Sequence, residues 1–356
     1  MTLKPDIRAD TPVSVWFMTI VSIPIIIGML WIGRGFLIPL AITLLLYILS
    51  SAMVDRFCNT QVFGWNPPRW LAKLASVGTI LFAIVLLVAT LAESADDVRE
   101  ALPKYEERFS AITLQFSLYV GPGVIDAVRS ALSNLDMRSF ISAAADQITG
   151  TLSILTLVAL YLVFLMSEDT KWAQKIPRLA SSDEGAQHLS KALLRIAEGV
   201  KQYMWVNALM SALSATVAFL IFTLIDLDFA PLLALIVFVV GFIPNIGAFI
   251  GIILPSLVAL IQFDSFVPFF IVLVGYGLVD QFIGNVVQPS MQGRSLNVST
   301  FMVMVFLTFW ATIWGGIGAF LAIPMMFVIL VICSEIPATR WIAVLLSSDG
   351  NLDPDD

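Results

Sequence analysis

The tetrapeptide Ile-Gly-Ala-Phe occurs twice, at Ile246 to Phe249 and at Ile317 to Phe320, each time inside a long apolar segment that also carries glycine and proline. The first segment reads GFIPNIGAFIGIILP from Gly241 to Pro255, and the second GGIGAFLAIP from Gly315 to Pro324. Proline in such a run removes a donor and clashes with the preceding turn, so neither segment can be one uninterrupted helix. Hydrocarbon tolerates broken backbone only where it is buried in protein or lines a watery cavity. The two breaks therefore predict two broken or re-entrant hairpins, over about 230–262 and 299–333, with a site beside them.

The rest of the chain has the composition of a membrane protein. It is 59% hydrophobic and 13% charged, with a mean hydropathy of +0.93, against about 25% charged for soluble domains. Apolar runs long enough to cross a bilayer recur along it, which predicts an all-α polytopic fold of about eight membrane segments, the two hairpins included. A net charge of −7 without clustered Lys and Arg argues against nucleic acid as a partner. Cys58 and Cys333 have no framework spacing. Nucleophile-elbow, zinc-protease and Walker A motifs are missing, no cofactor or metal motif appears, and the single histidine, His188, lies in a polar helix; the chain does not read as an enzyme. Val274-Gly275-Tyr276-Gly277 resembles a potassium filter, but it lies mid-helix with Leu273 where threonine is usual, and it is set aside.

Taken in order, residues 15–32 and 36–54 predict two helices joined as a hairpin at Gly33-Arg34-Gly35, and about 71–92 a third, making 1–92 an N-terminal membrane unit. Residues 93–146 become strongly charged and read as a periplasmic, amphipathic extramembrane pair of helices broken at Gly121-Pro122-Gly123, a periplasmic cap or oligomer contact on the membrane surface, or simply a solvated connector. A fourth helix and a cytoplasmic linker fill 147–202. Residues 203–335 are expected to form an inverted-repeat core, the candidate transport unit, and 336–356 an acidic cytoplasmic tail. Thirteen of the nineteen Lys and Arg then fall in segments assigned to the inside, which predicts both termini in the cytoplasm. Acids alone (Asp226, Asp228, Asp264) flank the first hairpin, while Arg294 and Arg340 flank the second. Helix plus hairpin, repeated in opposite orientation, is an inverted repeat of the kind that holds substrate at the repeat interface in secondary transporters.

Asp280 is the acid placed well inside a span, where an ionisable group is costly and by default functional, as a site for a proton, Na+ or a polar substrate. Gly277, Gln281, Gly284 and Gln288 share its neighbourhood at 4, 3, 4 spacing, with Asn285 adjacent; such a stripe also suits a close packing seam. The Pro244-Asn245 and Gly315-Gly316 breaks leave helix ends whose partial charges can bind ligands without charged side chains. The candidate binding set is therefore Pro244, Asn245, Gly247, Asp280, Gln281, Asn285, Gln288, Gly315, Gly316 and Gly318, with Pro255, Pro289, Gly293, Arg294 and Pro324 as turn or gating positions. Asn245 and Gly316 are expected to face one cavity from opposite sides of the membrane, with Asp280 between them.

Three stretches in order, Phe242-Ile-Pro-Asn-Ile-Gly-Ala-Phe-Ile-Gly, Asn285-Val-Val-Gln-Pro-Ser-Met-Gln-Gly-Arg-Ser-Leu and Gly315 to Pro324, resemble the hallmarks of the autoinducer-2 exporter family of bacterial transporters. The likeness is specific over about 200–335 and one of pattern in the N-terminal half. It implies export of small polar molecules such as the signal autoinducer-2, sodium/proton exchange in other members, an inner-membrane location, and a homo-oligomer with the pentamer as one form. Pro244, Gly247, Asn285, Pro289, Gly293, Arg294 and Pro324 match the family pattern. The usual acid before Gly-Asn is Ile283 here, and the usual Leu-His-Pro is Val298-Ser299-Thr300, which leaves Asp280 as the titrating group. The function expected is secondary export by alternating access, with sodium/proton antiport or a non-transporting membrane scaffold as alternatives.

Overall fold

A computed structural model describes residues 12–59, 67–120, 154–168, 183–244, 246–292 and 298–350. Ten α-helices run through them without a strand among the described residues: α1 (Pro12–Ile32), α2 (Arg34–Asn59), α3 (Arg69–Val120), α4 (Ile154–Glu168), α5 (Asp183–Leu224), α6 (Ala230–Val240), α7 (Ile246–Gln262), α8 (Phe266–Met291), α9 (Thr300–Glu335) and α10 (Arg340–Leu346). Five are long and apolar enough to cross a membrane, and four shorter apolar helices accompany them. The chain is an all-α polytopic membrane protein.

Three boundaries differ from those the sequence suggests. The expected end of the third helix near 92 is not an end: α3 runs 52 residues without interruption, through Pro103, so the charged region begins as a continuation of the membrane helix. A shift from apolar to charged residues marks where the helix leaves lipid, and helix propensity is indifferent to that change. The second amphipathic helix and the Gly121-Pro122-Gly123 break lie outside the described residues. For the same reason the linker before 202 and the fifth helix merge into α5, 42 residues long. Gly33 makes a bend rather than a hairpin turn, because its N–H still bonds Met29 (2.8 Å) and its carbonyl still receives Leu37 (2.9 Å). The Leu30 carbonyl at that bend accepts instead from the Trp314 indole at 3.0 Å, tying α1 to α9.

Two apolar clusters organise the molecule, and α5 belongs to both. Val200, Tyr203 and Met204 pack with α2 and with Trp310, Trp314, Leu321, Met326 and Phe327 of α9. Further along α5, Ala218 and Phe222 pack with Leu233, Val237, Ala259, Val272 and Tyr276 from α6, α7 and α8. The stretch between, roughly 203–214, is where α5 carries its buried polar side chains, Asn207, Ser211 and Ser214. On the N-terminal side, α2, α3 and α4 meet through small and hydroxyl residues, with Ser50 and Ser76 sharing a buried 2.8 Å hydrogen bond and Val158 and Leu162 fully buried. Such contacts hold membrane helices together where lipid removes the hydrophobic drive for their association.

Both interrupted segments are hairpins built by one device. Helix α6 has 11 residues, about 16 Å at 1.5 Å per residue, half of a hydrocarbon core of roughly 30 Å, so it enters and turns back. At the turn a Cβ on Gly247 would lie 2.0 Å from the Val240 carbonyl oxygen. Within α9, Gly315 leaves the helical region at φ 65°, ψ −147°, a conformation open to glycine alone. Past it, a Cβ on Gly318 would lie 1.9 Å from the carbonyl oxygen of Trp310. Eight residues of straight helix would separate those atoms by about 12 Å, so the chain folds back here too. The glycine of Ile-Gly-Ala-Phe is thus the residue that lets each second arm cross the last carbonyl of the first. The tips meet through Phe242 and Phe320, whose rings are 5.0 Å apart.

Candidate functional site

A cavity of about 360 Å³ opens between α5, the first hairpin and α8. The first hairpin contributes its tip: Gly241, Ile243, Pro244, Gly247 and Ala248. Compact bonding holds that tip, with Ile243 donating to Val240 (2.8 Å), Ile246 to Pro244 (2.7 Å) and Gly247 to Ile243 (2.8 Å). Its base is clamped by Gln262, whose Nε2 donates to the Asp226 carbonyl (2.7 Å) and whose Oε1 accepts from the Asp228 N–H (2.6 Å). That clamp spans the two left-handed residues of the connection, Asp226 (φ 53°) and Phe229 (φ 60°).

Helix α8 supplies Asp280, Gln281, Asn285 and Gln288, and it is not a regular helix. Residues Ile271–Tyr276 and Ile283–Val287 are π-helical, one segment on each side of Asp280. Wider turns of this kind re-aim side chains and concentrate at functional sites. Gly277 leaves the expected stripe: it is buried against Ile252 of α7 and does not line the cavity. Asp280 is half-buried and accepts a 3.2 Å hydrogen bond from the Tyr276 hydroxyl. Asn285 donates to Gln281, at 2.7 Å to Oε1 and 3.0 Å to the carbonyl. Gln288 reaches across and donates to Asn207 Oδ1 at 2.7 Å, joining α8 to α5.

The residues that reading the sequence passed over are on α5. Tyr203, Asn207, Ser211 and Ser214 line the cavity from one face, at spacings of 4, 4 and 3, the period of a single helix face. All four are buried. The spacing was there to be read, but serines inside apolar helices usually bond their own i−4 carbonyl, as Ser256 does to Ile252 at 2.7 Å. Gly241 lets the hairpin tip rest against this face, since a Cβ there would stand 2.7 Å from Ser211 Oγ.

Of the expected site residues, Pro244, Gly247, Asp280, Gln281, Asn285, Gln288 and Pro289 come together around the cavity. Gly315, Gly316 and Gly318 do not line it; the second hairpin reaches it only through Thr300, Val303 and Ile323, with Val298 just before it. The second tip meets the first through aromatic packing, so its break shapes the fold without opening to the same space. Pro255 and Pro324 are buried within α7 and α9, not at turns. Asn245, Gly293 and Arg294 lie outside the described residues.

Away from the cavity, the extension of α3 grips both ends of the first hairpin. The Tyr105 hydroxyl donates to Asp228 Oδ2 at 3.0 Å, and Arg108, one turn on, pairs with Asp264. Burial, and then the neighbouring Asp228 carboxylate, push the Tyr105 pKa upward from its ordinary 10.0, keeping the hydroxyl a donor. No group of three or more metal-ligating side chains occurs among the described residues.

A sequence model of the family described as AI-2E family transporter matches residues 20–338. The AI-2 transport protein TqsA of Escherichia coli (strain K12) is 26% identical over 340 residues, covering 92% of this chain and 95% of the relative. A putative transport protein of Haemophilus influenzae is 23% identical over 334 residues, with 92% and 94% covered. The putative permease PerM of Escherichia coli (strain K12) is 23% identical over 312 residues, with 84% and 86% covered.

Proposed function

The chain belongs to the AI-2E family of transporters, and we propose that it is a secondary exporter of small polar molecules, of the kind named by its relative TqsA, working by alternating access in the bacterial inner membrane. The observation that carries this reading is the cavity: it is walled by a broken hairpin, faces a polar strip of α5, and holds Asp280 at the middle of a span. Its volume of about 360 Å³ suits a metabolite, at the lower end of ligand pockets of roughly 300–1,000 Å³. Movement of the first hairpin against α5 would open and close it, and Asp280 would couple the cycle by exchanging a proton or Na+. The charge distribution supports cytoplasmic termini and hairpins of opposite orientation. A homo-oligomer, a pentamer among its forms, is the assembly expected.

Sodium/proton antiport is the second reading, favoured by the oxygen-rich setting of Asp280 beside the Tyr276 hydroxyl. Everted vesicles separate the two. Solute flux that persists without sodium, and is lost in Asp280→Asn, supports the exporter. A sodium-evoked pH change abolished by the same variant supports the antiporter. Neither flux nor pH change in wild-type vesicles, with Asp280→Asn indistinguishable from it, returns the chain to a scaffold role.

A further inference from the structure

The first hairpin is built as one lever, because its two ends are joined. Gln262, at the end of α7, bonds both the Asp226 carbonyl and the Asp228 N–H ahead of α6, so whatever holds one end holds the other. The tip is kept compact by its own backbone bonds and rests on α5, where a Cβ on Gly241 would stand 2.7 Å from Ser211 Oγ. Ser211 is 4% exposed beneath it and lines the cavity. Helix α5 is the fixed side: Lys201 pairs with Asp55, and the Arg56 guanidinium stands 5.7 Å from the Trp205 ring, both tying α5 to α2.

The hinge of the lever is the connection between α5 and α6. Asp226 and Phe229 take positive φ there, 53° and 60°. That conformation is costly for a side chain as large as phenylalanine, and it persists only where neighbours hold it. The extension of α3 is such a neighbour. Tyr105 sets its ring 6.1 Å from that of Phe229 and donates its hydroxyl to Asp228. Arg108, three residues on and so on the same helix face, pairs with Asp264 just past the second end of the hairpin. One face of α3 thus touches the hinge and both ends.

Resting on the transporter reading above, we propose that the extension of α3 is a latch: it holds the first hairpin seated on α5, and its release lets the tip leave Ser211 and the cavity change its access. A hydrogen bond to a carboxylate is worth more than an exposed ion pair, so Tyr105 is the stronger half of the latch and Arg108 the weaker. Once Tyr105 lets go, the backbone at Phe229 loses its support and can relax, which swings the hairpin about its base.

The test reads access to the cavity without relying on transport. The full chain carrying Cys58→Ser and Ser211→Cys is placed in proteoliposomes, and its reaction with a water-soluble maleimide is followed at two thiols. The introduced thiol reacts in proportion to the time the tip is lifted. The native Cys333, buried in α9, reports general loosening. Adding Tyr105→Phe is expected to speed the introduced thiol about 10-fold, and Arg108→Ala about 2- to 5-fold. Arg108→Glu should speed it at least as much as Arg108→Ala, and Asp264→Arg added to Arg108→Glu should bring the rate back, while Cys333 stays unchanged throughout. Should Ser211→Cys fold poorly, Ser214→Cys, which also lines the cavity, takes its place. Labelling unchanged in both Tyr105→Phe and Arg108→Glu, or Cys333 speeding in step with the introduced thiol, overturns the latch. A charge swap that stays fast overturns the part given to Arg108 and Asp264. Because the label reads access and not flux, the latch can fail with the transporter reading intact, and an absence of flux in the vesicle assay would remove that reading without altering the labelling.

Discussion

Replacing Gly247 or Gly318 by alanine tests the hairpin device directly. The added methyl would lie 2.0 Å from the Val240 carbonyl oxygen in the first case and 1.9 Å from that of Trp310 in the second. A carbon–oxygen contact needs about 3.3 Å, so each pair of arms must part by more than about 1 Å. The obstacle is backbone and cannot rotate away, which places the cost at the upper end of overpacking, about 3 kcal/mol. Gly315→Ala meets no atom within 4 Å but occupies φ +65°, and should cost about 1–3 kcal/mol in strain. Gly284 and Gly316 have open space and no positive φ, so alanine there should be neutral or stabilising by about 0.5–1 kcal/mol. Thermal unfolding of the purified chain in detergent should therefore separate Gly247→Ala and Gly318→Ala from Gly284→Ala and Gly316→Ala by about 6 °C or more, taking roughly 2 °C per kcal/mol. If all four melted together, the arms would not meet at these carbonyls, and the shared tetrapeptide would have no structural meaning.

Other consequences can be measured alongside. Arg108→Ala removes the pairing of α3 with Asp264 and should raise protease sensitivity or deuterium uptake at the ends of the first hairpin while costing less than about 1 kcal/mol of global stability, as exposed ion pairs do; uptake equal to wild type would dismiss the grip. The Tyr105 pKa is raised by burial and by Asp228, so its stabilisation is fully present below about 10 and is lost as pH rises through the raised folded value; melting between neutral pH and pH about 9 should be identical for wild type and Tyr105→Phe in slope, and diverge above. Gln262→Ala frees the Asp226 carbonyl and Asp228 N–H at the hairpin base and should cost about 1–3 kcal/mol, read as a lower unfolding temperature. Ser76→Ala should lower it by less, since buried hydrogen bonds between membrane helices are worth about 0.6 kcal/mol on average.

Much of the candidate site was legible because lipid makes certain residues conspicuous. Asp280 stood out as an acid in a span, and Pro244 with Gly247 as a break in one; the cavity has both. Gln281, Asn285 and Gln288 were legible as polar positions near Asp280, although Gly277 packs against Ile252 of α7 instead of lining the cavity, and the π-helical turns on either side of Gly277–Phe282 were not legible. Spacing arguments assume 3.6 residues per turn, and a wider turn leaves no mark in composition. The polar face of α5 went unread for a different reason: a serine in an apolar helix is ordinarily satisfied by its own backbone, and only the fold shows that Ser211 and Ser214 line the cavity. The second hairpin tip was placed in the site by symmetry with the first, yet Phe242 and Phe320 fill the contact between the tips and leave Gly316 outside the cavity lining.

What the sequence determined alone is what the bilayer and the backbone dictate locally. Apolar length fixed an all-α membrane protein, Pro244 and the Gly315-Gly316 pair marked two breaks although Pro103, Pro255 and Pro324 interrupt nothing, and the repeated tetrapeptide marked that the two breaks are alike. Only tertiary structure decided which of these features share a space. What the extension of α3 holds, how α8 is tied to α5, and which hairpin tip lines the cavity depend on residues distant in the chain, through Tyr105 with Asp228, Gln288 with Asn207, and Phe242 with Phe320. Local pattern carries no record of such partners, because a hydrogen bond or a ring contact is satisfied by whatever arrives in reach, and the fold alone determines what does.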